Sequence, residues 1–104
     1  MKAYHLVITE PAETDLKEIA DYIAKELLEP TVAKQLIAKI SESIFELERI
    51  PKRHALVDDE RLASQGIRKL LVDNYIVFYM ASEKDTSVYI IRILYGRRNW
   101  ISML

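Results

Sequence analysis

The sequence has 104 residues, of which 50% are hydrophobic and 30% are charged, and it contains no cysteine. A chain of this length is expected to fold as one domain with a real core. The absence of cysteine excludes disulfides and thiolate metal sites, and a net charge of −1 excludes nucleic-acid binding driven by overall charge alone. No signal peptide or membrane-spanning run is visible, so we expect a cytoplasmic protein without membrane contact.

The charges are distributed unevenly along the chain. Residues 1–50 contain six Lys and Arg against ten Asp and Glu, a balance of −4. Residues 51–104 contain nine basic residues against six acidic ones, a balance of +3. Any contact with a polyanion must therefore come from a local patch in the second half.

The first half of the chain predicts one strand followed by two helices. Residues 4–8 form a short apolar run, and Pro11 follows in a typical helix start. Apolar residues then recur at helical spacing over residues 11–28, and again from Pro30 until Pro51 stops the pattern. Because the break between the two helices is short, they must fold back on each other as a hairpin.

The second half predicts three antiparallel strands. Residues 51–65 are irregular and mixed in charge, and both a functional loop and a short helical turn over residues 59–64 fit them. From residue 66 to residue 104, three runs rich in β-branched and aromatic residues are separated by Asp73-Asn74 and by residues 82–86. Asp-Asn suits a tight hairpin because both residues tolerate positive φ.

The order of elements predicts an α+β fold: an N-terminal strand, a helical hairpin and a three-stranded antiparallel meander. The helices are expected to pack on one face of the sheet and to leave the other face open. Strict alternation places one set of residues on one side of the last strand and another set on the other. The first set is Tyr89, Ile91, Ile93 and Tyr95; the second is Val88, Ile90, Arg92 and Leu94.

Several short motifs occur in a specific order along nearly the whole chain. They are Asp15-Leu16, Ile19 and Tyr22-Ile23; Ala33, Ile40, Ile44, Leu47, Arg49 and Pro51; Gly66-Ile67-Arg68 and Leu70; Tyr75 and Val77-Phe78-Tyr79; and Ile91 to Arg98. In this order and spacing the chain resembles the RelE/ParE toxin superfamily of bacterial type II toxin–antitoxin systems. The resemblance implies a small toxin that a protein antitoxin neutralises by wrapping a C-terminal segment around it, which gives a hetero-oligomer.

The resemblance leaves two branches open. RelE-like toxins cleave mRNA on the ribosome, whereas ParE-like toxins inhibit DNA gyrase. RelE-like chains commonly carry an arginine where this chain has Ile76, and they often end in an aromatic residue or a histidine, whereas this chain ends in Leu104. Arg98 matches the arginine that follows the last strand in RelE-like toxins, and Arg68 and Lys69 lie in the strand where such toxins carry basic residues. The strand with Tyr75 and Val77-Phe78-Tyr79 and the ending Leu94 to Arg98 are more similar to the ParE branch.

Cleavage of RNA by its 2′-hydroxyl requires a proton acceptor, a proton donor and positive charge on the phosphate. Arginine stabilises the charge well but transfers protons poorly. His54, beside Lys52 and Arg53, is the one candidate acid or base. A RelE-like activity would therefore use Arg68, Arg98 and His54, without a cofactor or metal, since no acid or histidine cluster has ligand spacing.

The residues expected to bind the target or the antitoxin are Lys69, Arg92, Tyr95, Arg97, Arg98 and Trp100. Each also has a structural interpretation. Arg68 and Arg92 fit internal ion pairs equally well, and the strand tyrosines fit sheet packing. Trp100 either fixes the C-terminal tail or awaits a partner.

Three functional hypotheses follow. The first is a ParE-like toxin that inhibits gyrase, the second is a RelE-like ribosome-dependent endoribonuclease, and the third is a non-toxic member that acts in regulation with its antitoxin.

Overall fold

The computed structural model describes residues 3–104 and confirms the predicted α+β architecture. The elements are β1 (His5–Ile8), α1 (Glu10–Asp21), a π-helical turn (Tyr22–Glu26), α2 (Pro30–Glu46), α3 (Glu60–Ser64), β2 (Arg68–Val72), β3 (Tyr75–Ser82), β4 (Ser87–Tyr95) and a C-terminal 3₁₀ turn (Trp100–Met103). Within residues 3–104, no helix combines the length and the apolar character needed to cross a membrane.

The two long helices form the predicted hairpin, but both end earlier than the periodicity suggests. The Thr9 hydroxyl caps α1 by accepting a hydrogen bond from the amide of Ala12 at 3.4 Å. The backbone then widens into the π-helical turn before reaching Pro30. The prediction that α2 continues to Pro51 is wrong, because the amide of Leu47 bonds to the carbonyl three residues back and tightens the last turn.

The sheet has the strand order β1-β4-β3-β2. The last three strands are antiparallel, as predicted, and β1 adds to β4 in parallel. At the β2–β3 hairpin only Asp73 takes a positive φ, of 52°. β1 is short and pairs with β4 only as far as Ile90, so α1 flanks the remaining edge of β4.

The main core lies between the helical hairpin and one face of the sheet, which confirms the predicted layering. Its helix side is built from residues at the predicted apolar positions of both helices. The buried members are Ala12, Ile23, Ala33, Leu36, Ile40, Ile44, Leu47, Leu70, Val72, Val77, Tyr79, Val88, Ile90 and Ile93.

The prediction that the other face of the sheet is open is wrong. A second core forms there around Phe78, which is fully buried beneath α3 and the C-terminal turn. α3 ends at Ser64, and Gly66 follows with a φ of 84°, which allows the amide of Ile67 to reach the carbonyl of Leu62 at 3.2 Å. Trp100 closes the other side of this core, with its ring centroid 4.9 Å from that of Phe78. The apolar residues of α3 and of the C-terminal turn that cover this face are too few to form a periodic pattern along the sequence.

A β-bulge at Ile91 breaks the predicted alternation in β4. Phe78 pairs with Arg92 and Tyr79 pairs with Ile90, so Ile91 has no partner in β3. Ile90 therefore faces the main core, whereas Leu94 faces the second core.

Candidate partner-binding groove

A groove runs between the helical hairpin and the sheet, where β3 begins and β4 ends. It consists of two adjoining cavities of about 650 Å³ and about 570 Å³. Both cavities are lined by Leu27, Tyr75 and Tyr95, so they form one continuous surface. We call it the hairpin groove and define it by Glu18, Tyr22, Leu27, Val32, Tyr75, Tyr95 and Arg98.

The tip of the helical hairpin exposes several large apolar side chains next to one another. Tyr22 is 54% exposed, Leu27 52%, Leu28 78% and Val32 46%. Leu28 ends the turn with a φ of 55°, and Pro30 starts α2 immediately afterwards. A contiguous apolar patch of this kind on a small protein is typical of an interaction surface.

Tyrosines from both layers form the floor of the groove. The rings of Tyr75 and Tyr95 meet edge to face with centroids 5.6 Å apart. Burial raises the pKa of Tyr75, and the neighbouring phenols of Tyr95 and Tyr22 raise it further. Tyr75 therefore keeps its proton at neutral pH and can donate a hydrogen bond.

Beside the groove, Asp15 fixes α1 to β4. Its carboxylate accepts hydrogen bonds from Arg92 Nε at 2.7 Å and Arg92 Nη2 at 2.8 Å, and from the amide of Ile93 at 3.0 Å. Arg92 Nη1 also donates to the carbonyl of Met103 at 3.1 Å. The bidentate contact with Asp15 raises the pKa of Arg92. Arg92 thus has the internal partner that its sequence position allowed, and a contact with an external partner stays a prediction.

Arg97 and Arg98 leave the end of β4 on different sides. A Cβ at Gly96 would lie 3.3 Å from the carbonyl oxygen of Asn74, closer than most such contacts, so glycine suits the close approach of the two strands here. Arg98 lines the hairpin groove, whereas Arg97 lines a smaller cavity beside Leu71. Both are exposed, and neither forms an ion pair with another residue in the range 3–104.

The other predicted catalytic residues lie in a separate cluster at the start of β2. Arg68 Nη1 donates to the carbonyl of His54 at 2.7 Å, and the His54 ring lies edge-on to Tyr79 with centroids 6.4 Å apart. Burial lowers the pKa of His54, and the charge of Arg53 lowers it further. Its imidazole is therefore mostly neutral at pH 7.

Tyr79 is fully buried beneath this cluster. Its hydroxyl lies near the backbone of His54 but has no hydrogen-bond partner in the described part of the chain. Burial raises the pKa of Tyr79. An unpaired hydroxyl in a core costs stability, and nothing in the apolar pattern of β3 distinguishes this tyrosine from its neighbours.

The structure does not bring Arg98 together with Arg68 and His54. Arg68 starts β2, four residues before Val72. Val72 pairs with Tyr75 of β3, which pairs with Tyr95 at the end of β4, close to Arg98. The four residues from Arg68 to Val72 correspond to about 13 Å of strand. None of the residues that line the hairpin groove belongs to the His54 cluster.

Lys69 and Trp100 both have internal contacts on the second face. Lys69 Nζ lies 3.7 Å from a carboxylate oxygen of the exposed Asp58, and Trp100 packs on Phe78. Trp100 therefore packs the tail onto the second core, and the predicted contacts of Lys69 and Trp100 with a partner stay predictions. Within residues 3–104, no three His, Asp or Glu side chains are grouped closely enough to hold a metal ion.

Sequence reasoning missed most of the groove residues. Tyr22, Leu27 and Val32 carry apolar or aromatic side chains at helical spacing, which is also the pattern of core residues. Only their location at the hairpin tip, where no strand covers them, leaves them exposed.

Comparison with known proteins identifies the family. A family profile described as "ParE toxin of type II toxin-antitoxin system, parDE" matches residues 6–100. No curated protein sequence gives a significant match.

Solved structures share the fold. The chromosomal ParDE toxin–antitoxin system of P. aeruginosa aligns with a TM-score of 0.72 and 22% identity, covering 89% of this chain and 96% of that one. The RelBE2 toxin–antitoxin complex of Mycobacterium tuberculosis aligns with a TM-score of 0.65 and 24% identity, covering 91% and 93%. A mutant of the E. coli toxin RelE in the free state aligns with a TM-score of 0.63 and 16% identity, covering 97% and 92%. Since the profile spans nearly the whole sequence, the chain belongs to the ParE toxin family of type II toxin–antitoxin systems.

Proposed function

We propose that this protein is a ParE-like toxin that inhibits DNA gyrase by binding it, and that a protein antitoxin neutralises it. It acts in this proposal as a binding protein without a chemical step. Its membership of the ParE family and the ParDE and RelBE2 relatives support the antitoxin as partner.

The separation of Arg98 from Arg68 and His54 carries the choice of gyrase over mRNA cleavage. RNA cleavage needs its proton acceptor and its phosphate-binding charge within reach of one scissile bond. About 13 Å of strand separates Arg68 from the end of the sheet that carries Arg98, and Arg68 is already bonded to the carbonyl of His54. The groove beside Arg98 contains no histidine.

The hairpin groove supplies a surface suited to a protein partner. It combines exposed aliphatic residues with three tyrosines and an arginine, and tyrosine and arginine are enriched among residues that dominate binding energy. Nucleic-acid binding would instead require a broad basic surface, whereas Glu18 and Glu29 also line this groove.

A supercoiling assay with purified gyrase tests the target directly. The purified wild-type protein, freed from its antitoxin, should inhibit gyrase in a dose-dependent way. Addition of antitoxin should restore supercoiling. Arg61→Ala, an exposed change on α3 away from the groove, is the matched surface control and should inhibit as the wild type does.

Mapping of mRNA 5′ ends after induction in bacteria separates the alternatives. No new ends within codons, together with filamentation and DNA-damage signalling, supports the gyrase proposal. New ends that disappear in Arg98→Ala would replace it with ribosome-dependent cleavage. Normal growth with soluble protein present would favour a non-toxic regulatory member.

A further inference from the structure

We propose that the hairpin groove selects its protein partner by opposite charges on its two walls. The wall formed by α1 takes a basic side chain through Glu18, and the wall at the end of β4 takes an acidic side chain through Arg98. The occupant is one amphipathic segment of the antitoxin, with a basic flank, an apolar stripe and an acidic flank. This inference rests on the proposed antitoxin partner and not on gyrase as the target.

The α1 wall carries two acidic side chains but only one ion pair. Asp15 and Glu18 both line it beside Arg92, and the charge of Glu18 contributes to the raised pKa of Arg92 without an ion pair between them. Arg92 bonds both carboxylate oxygens of Asp15, and Glu18 forms no ion pair with any residue of the described range 3–104. Glu18 is exposed and lines the same cavity as Tyr22. A basic side chain could therefore pair with Glu18 while its methylene groups lie against the tyrosine.

The opposite wall carries a free positive charge. Arg98 is exposed and lines the cavity together with Glu18, yet no ion pair joins them at 4.0 Å or less. The Tyr75 and Tyr95 rings lie between the walls. A guanidinium beside phenol hydroxyls can bind a carboxylate through several charge-assisted hydrogen bonds. An incoming acid here would not compete with an internal partner.

The floor and the length of the groove match a short helix or turn. The second cavity is lined by Val32, Gln35, Leu36 and Lys39 of α2, which share one helix face. Those positions extend over about 10 Å. Lys39 is already paired with Asp73 at 3.2 Å, which leaves Glu29 as the charge in the second cavity without an ion pair in the described range 3–104. The end that contains Glu18 and Arg98 carries one such charge of each sign. A segment with an apolar stripe would cover Leu27 and the tyrosines, and its flanking charges would fix its direction.

A uniformly acidic segment does not fit this surface. It would pair with Arg98 but would bring like charges against Glu18 and Glu29. Like charges in close contact at an interface are unfavourable and suppress wrong partners. The two walls together therefore discriminate among antitoxins that share the same apolar stripe.

Charge reversals provide the test. The cognate antitoxin is purified as a complex with the toxin, separated and titrated against wild-type toxin, Glu18→Lys and Arg98→Glu. The matched controls are Lys17→Glu, the exposed neighbour of Glu18 on α1, and Arg61→Glu on α3, neither of which lines the groove. Thermal unfolding of each variant checks that it is folded.

Each groove reversal should weaken antitoxin binding by about tenfold at low salt, because an attraction is replaced by a repulsion of similar size. The loss should shrink near 1 M salt, where charges are screened within about 3 Å. Both controls should bind within about twofold of wild type. An antitoxin variant with the facing basic residue changed to Glu should restore binding to Glu18→Lys.

Wild-type affinity in both groove variants would overturn the inference, as would tighter binding by Glu18→Lys, which would place an acid at this wall. Failure of wild-type toxin to inhibit gyrase would remove the proposed target and leave this binding result intact.

Discussion

Replacement of Asp15 by alanine should destabilise the fold strongly, although Asp15 is a single charged residue on a surface helix. Its side chain is only 7% exposed. Its carboxylate accepts three hydrogen bonds from β4, two from the Arg92 guanidinium and one from the amide of Ile93. Asp15→Ala leaves a strand amide without its partner and a partly buried guanidinium without its counter-ion.

The size of the effect follows from these groups. Loss of the acceptor for a buried amide costs about 1–3 kcal/mol, and breaking a fully buried ion pair costs about 3–5 kcal/mol. The Arg92 side chain is 23% exposed and keeps the carbonyl of Met103, so water offsets part of the second cost. We expect a loss of about 2–4 kcal/mol in the free energy of unfolding, or a fall in Tm on the order of 10 °C or more.

Urea denaturation of Asp15→Ala, Arg92→Ala and the double variant measures this. Since each single change leaves the other group unpaired, the double variant should lose at least about 1 kcal/mol less than the sum of the single losses. Glu18→Ala, on the exposed face of the same helix, should stay within about 0.5 kcal/mol of wild type. A loss below about 0.5 kcal/mol for Asp15→Ala, or additive effects, would refute the reasoning.

Two further predictions concern the cluster at the start of β2. Tyr79→Phe removes a buried hydroxyl that has no hydrogen-bond partner in the described part of the chain. The free energy of unfolding should therefore stay the same or rise by up to about 1 kcal/mol, which thermal unfolding would show as an equal or higher Tm. A clear fall in Tm would show that the hydroxyl is hydrogen-bonded. Because burial and Arg53 lower the pKa of His54, its neutral form stabilises the fold fully above about pH 6.5 and this contribution is lost as the pH falls through the folded pKa. Between pH 7 and pH 5, His54→Gln should therefore lose less stability than wild type, and equal slopes in the two proteins would contradict the assignment.

The sequence predicted the fold because each element carries its own periodic signal. The apolar stripe from Ala33 to Ile44 specifies α2 and its buried face, and the runs around Val77 and Val88 specify strands that are buried on both sides. The cover on the second face was missed because it depends on a five-residue helix and on a tail held by Trp100. Segments this short have too few residues for a period to appear.

The site was harder to predict because exposure, and not residue type, defines it. Tyr22 and Leu27 have side chains typical of core residues. Their local sequence does not indicate that the sheet ends before it reaches them and leaves them exposed. Arg98 was predicted as a binding residue on the strength of the family resemblance; the structure places it at the groove, and its contact with a partner stays a prediction. Arg68 was grouped with it because sequence carries no information on which end of the sheet each residue occupies; only the register of β2 with β3 separates them.

The early end of β1 links the stability of the protein to its binding surface. Because β1 stops at Ile8, the remaining edge of β4 must be satisfied by α1, and Asp15 does so through the amide of Ile93. The same placement sets Glu18, one helical turn further on, against the groove. Asp15 variants should therefore lose antitoxin binding through misplacement of α1, whereas Glu18 variants should lose it with the fold intact. Measurement of both unfolding and antitoxin binding on the same variants therefore distinguishes Asp15, which positions α1 beside the groove, from Glu18, which contacts the partner in this proposal.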